Sequence, residues 1–236
     1  MKLVIMIIGC IVFLTGCVSL SLQPAKISSY DSGIKIYQDS KPTSKIQIEL
    51  AQEKVGGFNT TPLVLYITAE SKDTQNTFDM SNISFYMNDK EVFPLTYSEL
   101  KKESLDLSDV AYDYGIYIKP QSANKIMIAN ELHSGEPTYV PLRPHGIHAF
   151  SIKYAPNSYV ASKQDLQARL NQNARAKTNA LIYKSYLKKD TPYKGSIQGG
   201  FVLIPYKELK PGILRVIVKV GDDAYSTQIK LLNASR

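Results

Sequence analysis

The sequence predicts a mainly β fold, a two-sheet sandwich with one long α-helix inserted before the C-terminal strands. Three observations carry that expectation. Short runs rich in β-branched and aromatic residues recur from Ile34 to Phe93 and again from Gly200 to Leu232, the composition of strands. Asn88-Asp89, Lys210-Pro211-Gly212 and Gly221-Asp222-Asp223 supply turn chemistry between such runs. The stretch from Ser158 to Lys189 holds neither Pro nor Gly and sits between Pro156-Asn157 and Thr191-Pro192, which marks out a helix.

The chain opens with Lys2, an apolar run from Leu3 to Phe13 broken only by Gly9 and Cys10, and then Leu14-Thr15-Gly16-Cys17. A positive start, a short apolar core and a small-residue cleavage site make an export signal. The run falls short of the about 20 apolar residues that span a bilayer, and Ser19, Ser21, Gln23 and Lys26 follow it. Leu14-Thr15-Gly16-Cys17 closely resembles the lipobox of bacterial lipoproteins. That resemblance implies thioether lipidation of Cys17, cleavage before it, and a signal peptide of residues 1–16. Ile7-Ile8-Gly9-Cys10 has a similar look, but its apolar core, Leu3 to Ile8, is shorter than export signals use. Val18 is not the aspartate of the inner-membrane retention signal in enteric bacteria, so the resemblance implies a lipid-anchored protein of the bacterial cell envelope, placed at the outer membrane.

Cleavage removes 16 of 236 residues and leaves 220, enough for one sizeable core or two small ones. Cys10 leaves with the signal and Cys17 carries the lipid, so the expected mature chain has no disulfide and relies on packing. Residues 17–32 are Ser-rich with little periodicity and read as a flexible tether. Residues 33–236 are then the sandwich domain, with the helical insertion at about 158–189. Its first strands are expected at Ile34–Tyr37, Lys45–Ala51, Leu63–Thr68, Ile83–Met87 and Glu91–Phe93. Ile46, Ile48 and Leu50 alternate with Lys45, Gln47 and Glu49, the pattern of one buried and one wet face. Asn88-Asp89 is the hairpin turn. Ser98 is expected to cap a short helix through Lys102. Further strands are expected at Gly115–Ile118, Lys125–Ala129, Ile147–Tyr154, Gly200–Pro205, Ile213–Val220 and Tyr225–Leu232.

Leu166, Leu170, Ala174 and Leu181 lay an apolar stripe along the long helix, interrupted by Lys177, with fraying expected near Thr178-Asn179. Its charges are one-sided: Lys163, Arg169, Arg175, Lys177, Lys184, Lys188 and Lys189 stand against Asp165 alone. The rest of the mature chain balances at 20 basic and 20 acidic residues, so the helix accounts for its whole net charge. The plainer reading is the solvated face of a packed helix. The other is a surface for an anionic envelope polymer or an acidic protein partner, since concentrated charge of one sign steers the opposite sign.

Strands on both sides of a helix suggest an immunoglobulin-like β-sandwich with a helical insertion. Thr191 to Phe201, with Gly199-Gly200-Phe201 and the Pro-Gly turn that follows, resembles the last strands of Ig-like domains in uncharacterised bacterial lipoproteins. The resemblance covers about the last fifty residues and implies no activity.

Motifs that would carry chemistry are weak. His145 and His148 flank Gly146-Ile147 without the spacing of a metal helix or a nearby carboxylate, and read as surface histidines. Glu103, Asp106, Asp109 and Asp113 lack the glycine and terminal glutamate of an EF-hand loop. Ser98-Glu99-Leu100-Lys101 fits S-x-x-K and Ser122-Ala123-Asn124 resembles the second motif of penicillin-interacting enzymes. The third motif is missing, however, because Lys194-Gly195-Ser196 has the order wrong. The Gly-Gly-Phe doublets at 56–58 and 199–201 are not phosphate loops, and there is no Gly-x-Ser-x-Gly elbow. Sixteen tyrosines suit interfaces and sugar stacking as well as strands. Net charge alone would allow nucleic acid, but the export signal speaks against it. The expectation is a non-enzymatic envelope protein, without cofactor or metal, that binds another envelope component or acts in adhesion. An accessory subunit of an envelope assembly or secretion system, and a cell-wall or glycan hydrolase, are the alternatives.

Overall fold

The computed structural model describes residues 18–73, 77–103, 105–116, 156–188 and 197–234, with the side chains of the long helix described from Gln167 onward. The chain divides into two compact units, residues 1–116 with 181–236, and residues 117–180.

The first unit is a pair of antiparallel sheets. Its strands are β1 (Ser19–Pro24), β2 (Ser29–Asp31), β3 (Ile34–Ser40), β4 (Ser44–Leu50), β5 (Lys54–Gly56), β6 (Leu63–Ser71), β7 (Ile83–Met87), β8 (Lys90–Val92), β9 (Ile197–Ile204), β10 (Gly212–Val220) and β11 (Asp223–Asn233). One sheet runs β5-β1-β11-β10-β7-β8 and the other β2-β3-β4-β6-β9. Alternate residues of both sheets, among them Ile46, Ile48 and Leu50 of β4 and Leu214, Val216 and Val218 of β10, share one core, as two sheets packed face to face require. The protein is therefore mainly β and sandwich-like, with one long helix ahead of its C-terminal strands.

Strands β6 and β9 are buried on both faces. Leu65, Ile67, Val202 and Ile204 face the partner sheet. Val64, Phe201 and Leu203 belong to a second core with Leu100, Val110, Ala111, Ile182 and Tyr186. Short helices α1 (Tyr97–Lys102) and α2 (Ser108–Asp113) supply part of that cover, which is why β9 reads as a continuous apolar run rather than an alternating one. The open edge of β9 is closed by residues 185–187: Phe201 N–H donates to Ser185 O at 2.8 Å and Leu187 N–H to Phe201 O at 2.9 Å. Gly200 permits this approach, because a Cβ there would lie 2.5 Å from Ser185 O and 2.8 Å from Leu187 N.

Several expectations are corrected. Residues 17–32 are not a tether over their described part. β1 pairs with β11 and β5, burying Leu20 and Leu22 to 2% and 4% exposure, and β2 pairs with β3. The folded unit thus begins at Val18–Ser19 rather than at residue 33. Thr96, not Ser98, caps α1: its Oγ1 accepts from Glu99 N–H while Glu99 returns a bond to Thr96 N–H, a reciprocal capping box. Gly115–Ile116 are not strand but follow α2, where Gly115 takes φ +69°. The long helix α3 runs Pro156–Lys184 rather than 158–189, because pairing with β9 takes over at Ser185. It does not break at Thr178-Asn179: Leu170, Ala174, Thr178 and Ile182 form its buried four-residue repeat, while Leu181 is exposed. The strands expected at Lys125–Ala129 and Ile147–Tyr154 lie outside the described residues.

Candidate functional site

Three places bear on function: the end where the chain enters the first unit, a groove beside α1, and the basic helix.

At the entry end, the Val18 carbonyl accepts from the Gly57 N–H at 3.1 Å and from the Tyr206 hydroxyl at 2.7 Å. One residue on, Ser19 O accepts from Ala234 N–H at 3.0 Å. The turn after β5 is closed by Gly56 and Thr61 bonding reciprocally at 2.9 and 3.3 Å and by Thr60 N–H to Gly57 O at 3.1 Å. Gly56 and Gly57 take φ +81° and +78° and Thr60 +47°, values that favour glycine at the first two positions. The Tyr206 ring lies where a Cβ on Gly56 would be, 2.3 Å from its nearest carbon. This tightly hydrogen-bonded turn holds Phe58 at 89% exposure beside Val18 at 55%. Cys17, the residue before Val18, lies outside the described residues.

The groove, of 540 Å³, is lined by Ile83, Phe93, Pro94, Glu91, Glu99 and Glu208 among others. A hydrolase would need one of these carboxyls held above its ordinary range. Glu99 is displaced the other way: the Thr96 backbone and hydroxyl bonds of the helix cap hold it below its usual value. One oxygen does the capping: Oε2 accepts from Thr96 N–H at 2.7 Å and from the Thr96 hydroxyl at 2.8 Å. Of the acidic stretch, Asp109 and Asp113 lie on α2. Burial, then Asp109 and Glu53, raise the Asp113 carboxyl, and no group of three His, Cys, Asp or Glu side chains able to hold a metal occurs among the described residues.

On α3, Arg169, Arg175, Lys177 and Lys184 are exposed. At about 100° per residue, Arg169, Lys184 and Lys177 fall within roughly 80° of one another, over about 22 Å of helix. Arg175 projects from the opposite flank, about 160° from Lys177. Arg169, Lys177 and Lys184 form no ion pair among the described residues. Lys188 has left the helix and is engaged: its Nζ sits 4.5 Å from the centroid of the Tyr97 ring, which also carries Lys101 at 4.7 Å. Lys163 lies on α3 with its side chain outside the described set, and Lys189 lies outside it altogether. The same holds for His145, His148, the Ser122-Ala123-Asn124 triplet and Lys194-Gly195-Ser196.

No protein-family model, curated protein or solved structure matches this chain. No helix among the described residues is long and apolar enough to cross a membrane. Phe58 was not visible as a surface residue in the sequence, where a lone phenylalanine after two glycines looks like the start of a buried strand. The sequence holds no signal that separates it from the like doublet, since Gly199-Gly200-Phe201 lies inside β9 whereas Gly56 and Gly57 take positive φ and turn.

Proposed function

We propose that this is a lipid-anchored, non-enzymatic protein of the bacterial cell envelope, tethered at the outer membrane through Cys17, that presents a β-sandwich to another envelope component or in adhesion. The single observation that supports it most is the lipobox Leu14-Thr15-Gly16-Cys17 placed directly against the first paired strand. A secretory signal whose cleavage site abuts the fold leaves no room for a long linker, so the anchor and the domain act as one object at the bilayer surface. The exposed basic strip of Arg169, Lys177 and Lys184 is the surface on which an anionic polymer or acidic protein would dock.

The test is the mass and location of the mature protein. The native chain is expected to begin at Cys17, to carry acyl chains and to sediment with the membranes. Cys17→Ala is expected to keep its signal residues or appear in the soluble fraction, without acylation. A native protein that is processed elsewhere or bears no acyl group would overturn the proposal.

A further inference from the structure

We infer that Phe58, with Val18, is a membrane-contacting element that seats the sandwich on the phospholipid bilayer and fixes its orientation there. This rests on lipidation at Cys17 as proposed above, and adds a second point of contact made by the fold itself.

The argument starts from an unfavourable exposure that the fold maintains. Phe58 is the most exposed of the large apolar side chains among the described residues, and nothing in the core uses its ring. A mobile loop would let such a ring fold back onto the surface. Here the turn is closed by the reciprocal Gly56–Thr61 pair and by Thr60 N–H on Gly57 O, so the ring is held away from the protein. The same turn is bonded to the chain entry, through Gly57 N–H on Val18 O at 3.1 Å. Val18 is covalently next to Cys17, and consecutive Cα atoms are about 3.8 Å apart. An acyl group on Cys17 therefore enters the bilayer within a few residues' reach of Phe58.

The geometry of the sheet adds direction. β1 starts at this end, where Ser19 pairs with Gly56 and Leu20 with Asn233. Leu63, at the start of β6, and Ile204, at the end of β9, pair near the same end, whereas Ile197, exposed at 68%, pairs with Glu70 at the far end of those strands. Seven residues of strand separate Ile197 from Ile204, about 23 Å at 3.3 Å per residue. A bilayer reached by the lipid is thus reached by Phe58 and not by Ile197. Apolar and aromatic side chains gain by leaving water for the interfacial region. One acyl chain binds a protein only reversibly, so a second membrane contact also strengthens retention of a partly acylated form.

The protein contains no tryptophan, so Phe58→Trp and Ile197→Trp each introduce a single reporter. The full lipidated variants are reconstituted in vesicles of phosphatidylethanolamine and phosphatidylglycerol, with and without brominated acyl chains. Intact mass establishes acylation of each sample, and circular dichroism its fold. The reporter at 58 is expected to emit at shorter wavelength in vesicles than in the unacylated Cys17→Ala form, and to be quenched severalfold by the brominated chains, while the reporter at 197 shows neither effect. Acylated, folded protein whose residue 58 reporter stays water-like would overturn the membrane contact and leave the anchor standing. A native chain without acyl groups would overturn the anchor, and the contact with it. Equal quenching at 58 and 197 would show that the sandwich has no fixed orientation and would equally defeat the inference.

Discussion

Asp223 shows how a single surface carboxylate organises one corner of the sandwich. Its Oδ2 accepts from Thr43 and Ser44 hydroxyls at 2.5 Å each, and Lys41 Nζ lies 4.0 Å from Oδ1. Ser44 has one hydroxyl proton and gives it to the carboxylate, so the Tyr225 hydroxyl, 2.6 Å away, must donate to Ser44. These bonds join the start of β4 to the start of β11, and the Ser44 and Thr43 hydroxyls hold the Asp223 carboxyl below its ordinary 3.8. A folded-state pKa below the unfolded one means that acid protonates the unfolded chain first. The contribution is complete above about 3.8 and is lost as pH falls from there through the folded value. Comparing Tm for the native chain and Asp223→Asn from neutral pH downward is expected to show a lower Tm for the variant at neutral pH and convergence below pH about 4. A gap that stays constant into acid would mean that the carboxylate does not carry the effect.

At the scale of elements, β1 is the instructive case. Ser19-Leu20-Ser21-Leu22 alternates as a strand should, yet four residues in a Ser-rich stretch after an apolar N-terminal run also have the composition of a spacer. What decides between them is pairing with residues 54–56 and 229–233, contacts that no local window contains. Leu22→Ala is expected to cost about 2–4 kcal/mol, because its side chain leaves a cavity between the sheets. Hydrogen exchange is expected to protect the Leu22 amide, which donates to Glu53 O at 2.8 Å, to the same degree as the central amides of β11. Free exchange at Leu22 together with an unchanged unfolding midpoint in the variant would restore the tether. The other differences have the same origin. The strands with alternating residues and turn chemistry, such as β4, β7, β10 and β11, were legible because their signals are local. The Thr96 cap was missed although Thr96-Tyr97-Ser98-Glu99 spells a capping box, because Ser98 offered a competing cap. The end of α3 was not legible, because residues 185–187 stop being helical only where they pair with β9. Nor was Phe58, since the sequence does not say whether a ring after a glycine pair points in or out.

For the whole molecule, the excess on α3 is Lys163, Arg169, Arg175, Lys177 and Lys184 against Asp165, with Lys188 and Lys189 beyond its end. Exposed charges separated from a partner by more than a Debye length are screened at about 8–10 Å in ordinary salt, so the strip of Arg169, Lys177 and Lys184 acts at contact range and on a partner that reaches along about 22 Å of helix. A polymer with repeated negative charges, or an acidic protein face, meets that requirement, whereas a small anion engages one side chain at a time. The strip is also separable from the fold: the three side chains are exposed, while buried Ala174 and Thr178 lie about 60° or more around the helix from them. Changing all three basic residues to glutamine should therefore leave the far-ultraviolet spectrum and Tm of the sandwich unchanged. Loss of three exposed charge pairs is expected to weaken capture of a defined polyanion by about tenfold at low salt and by less as salt is raised. In intact cells, cross-linking followed by mass spectrometry should find a partner with the native protein that the glutamine variant no longer holds. If capture and the partner set are the same for both, the strip is a solvated face, and the binding surface must be sought on the sheets or in the groove beside Phe93.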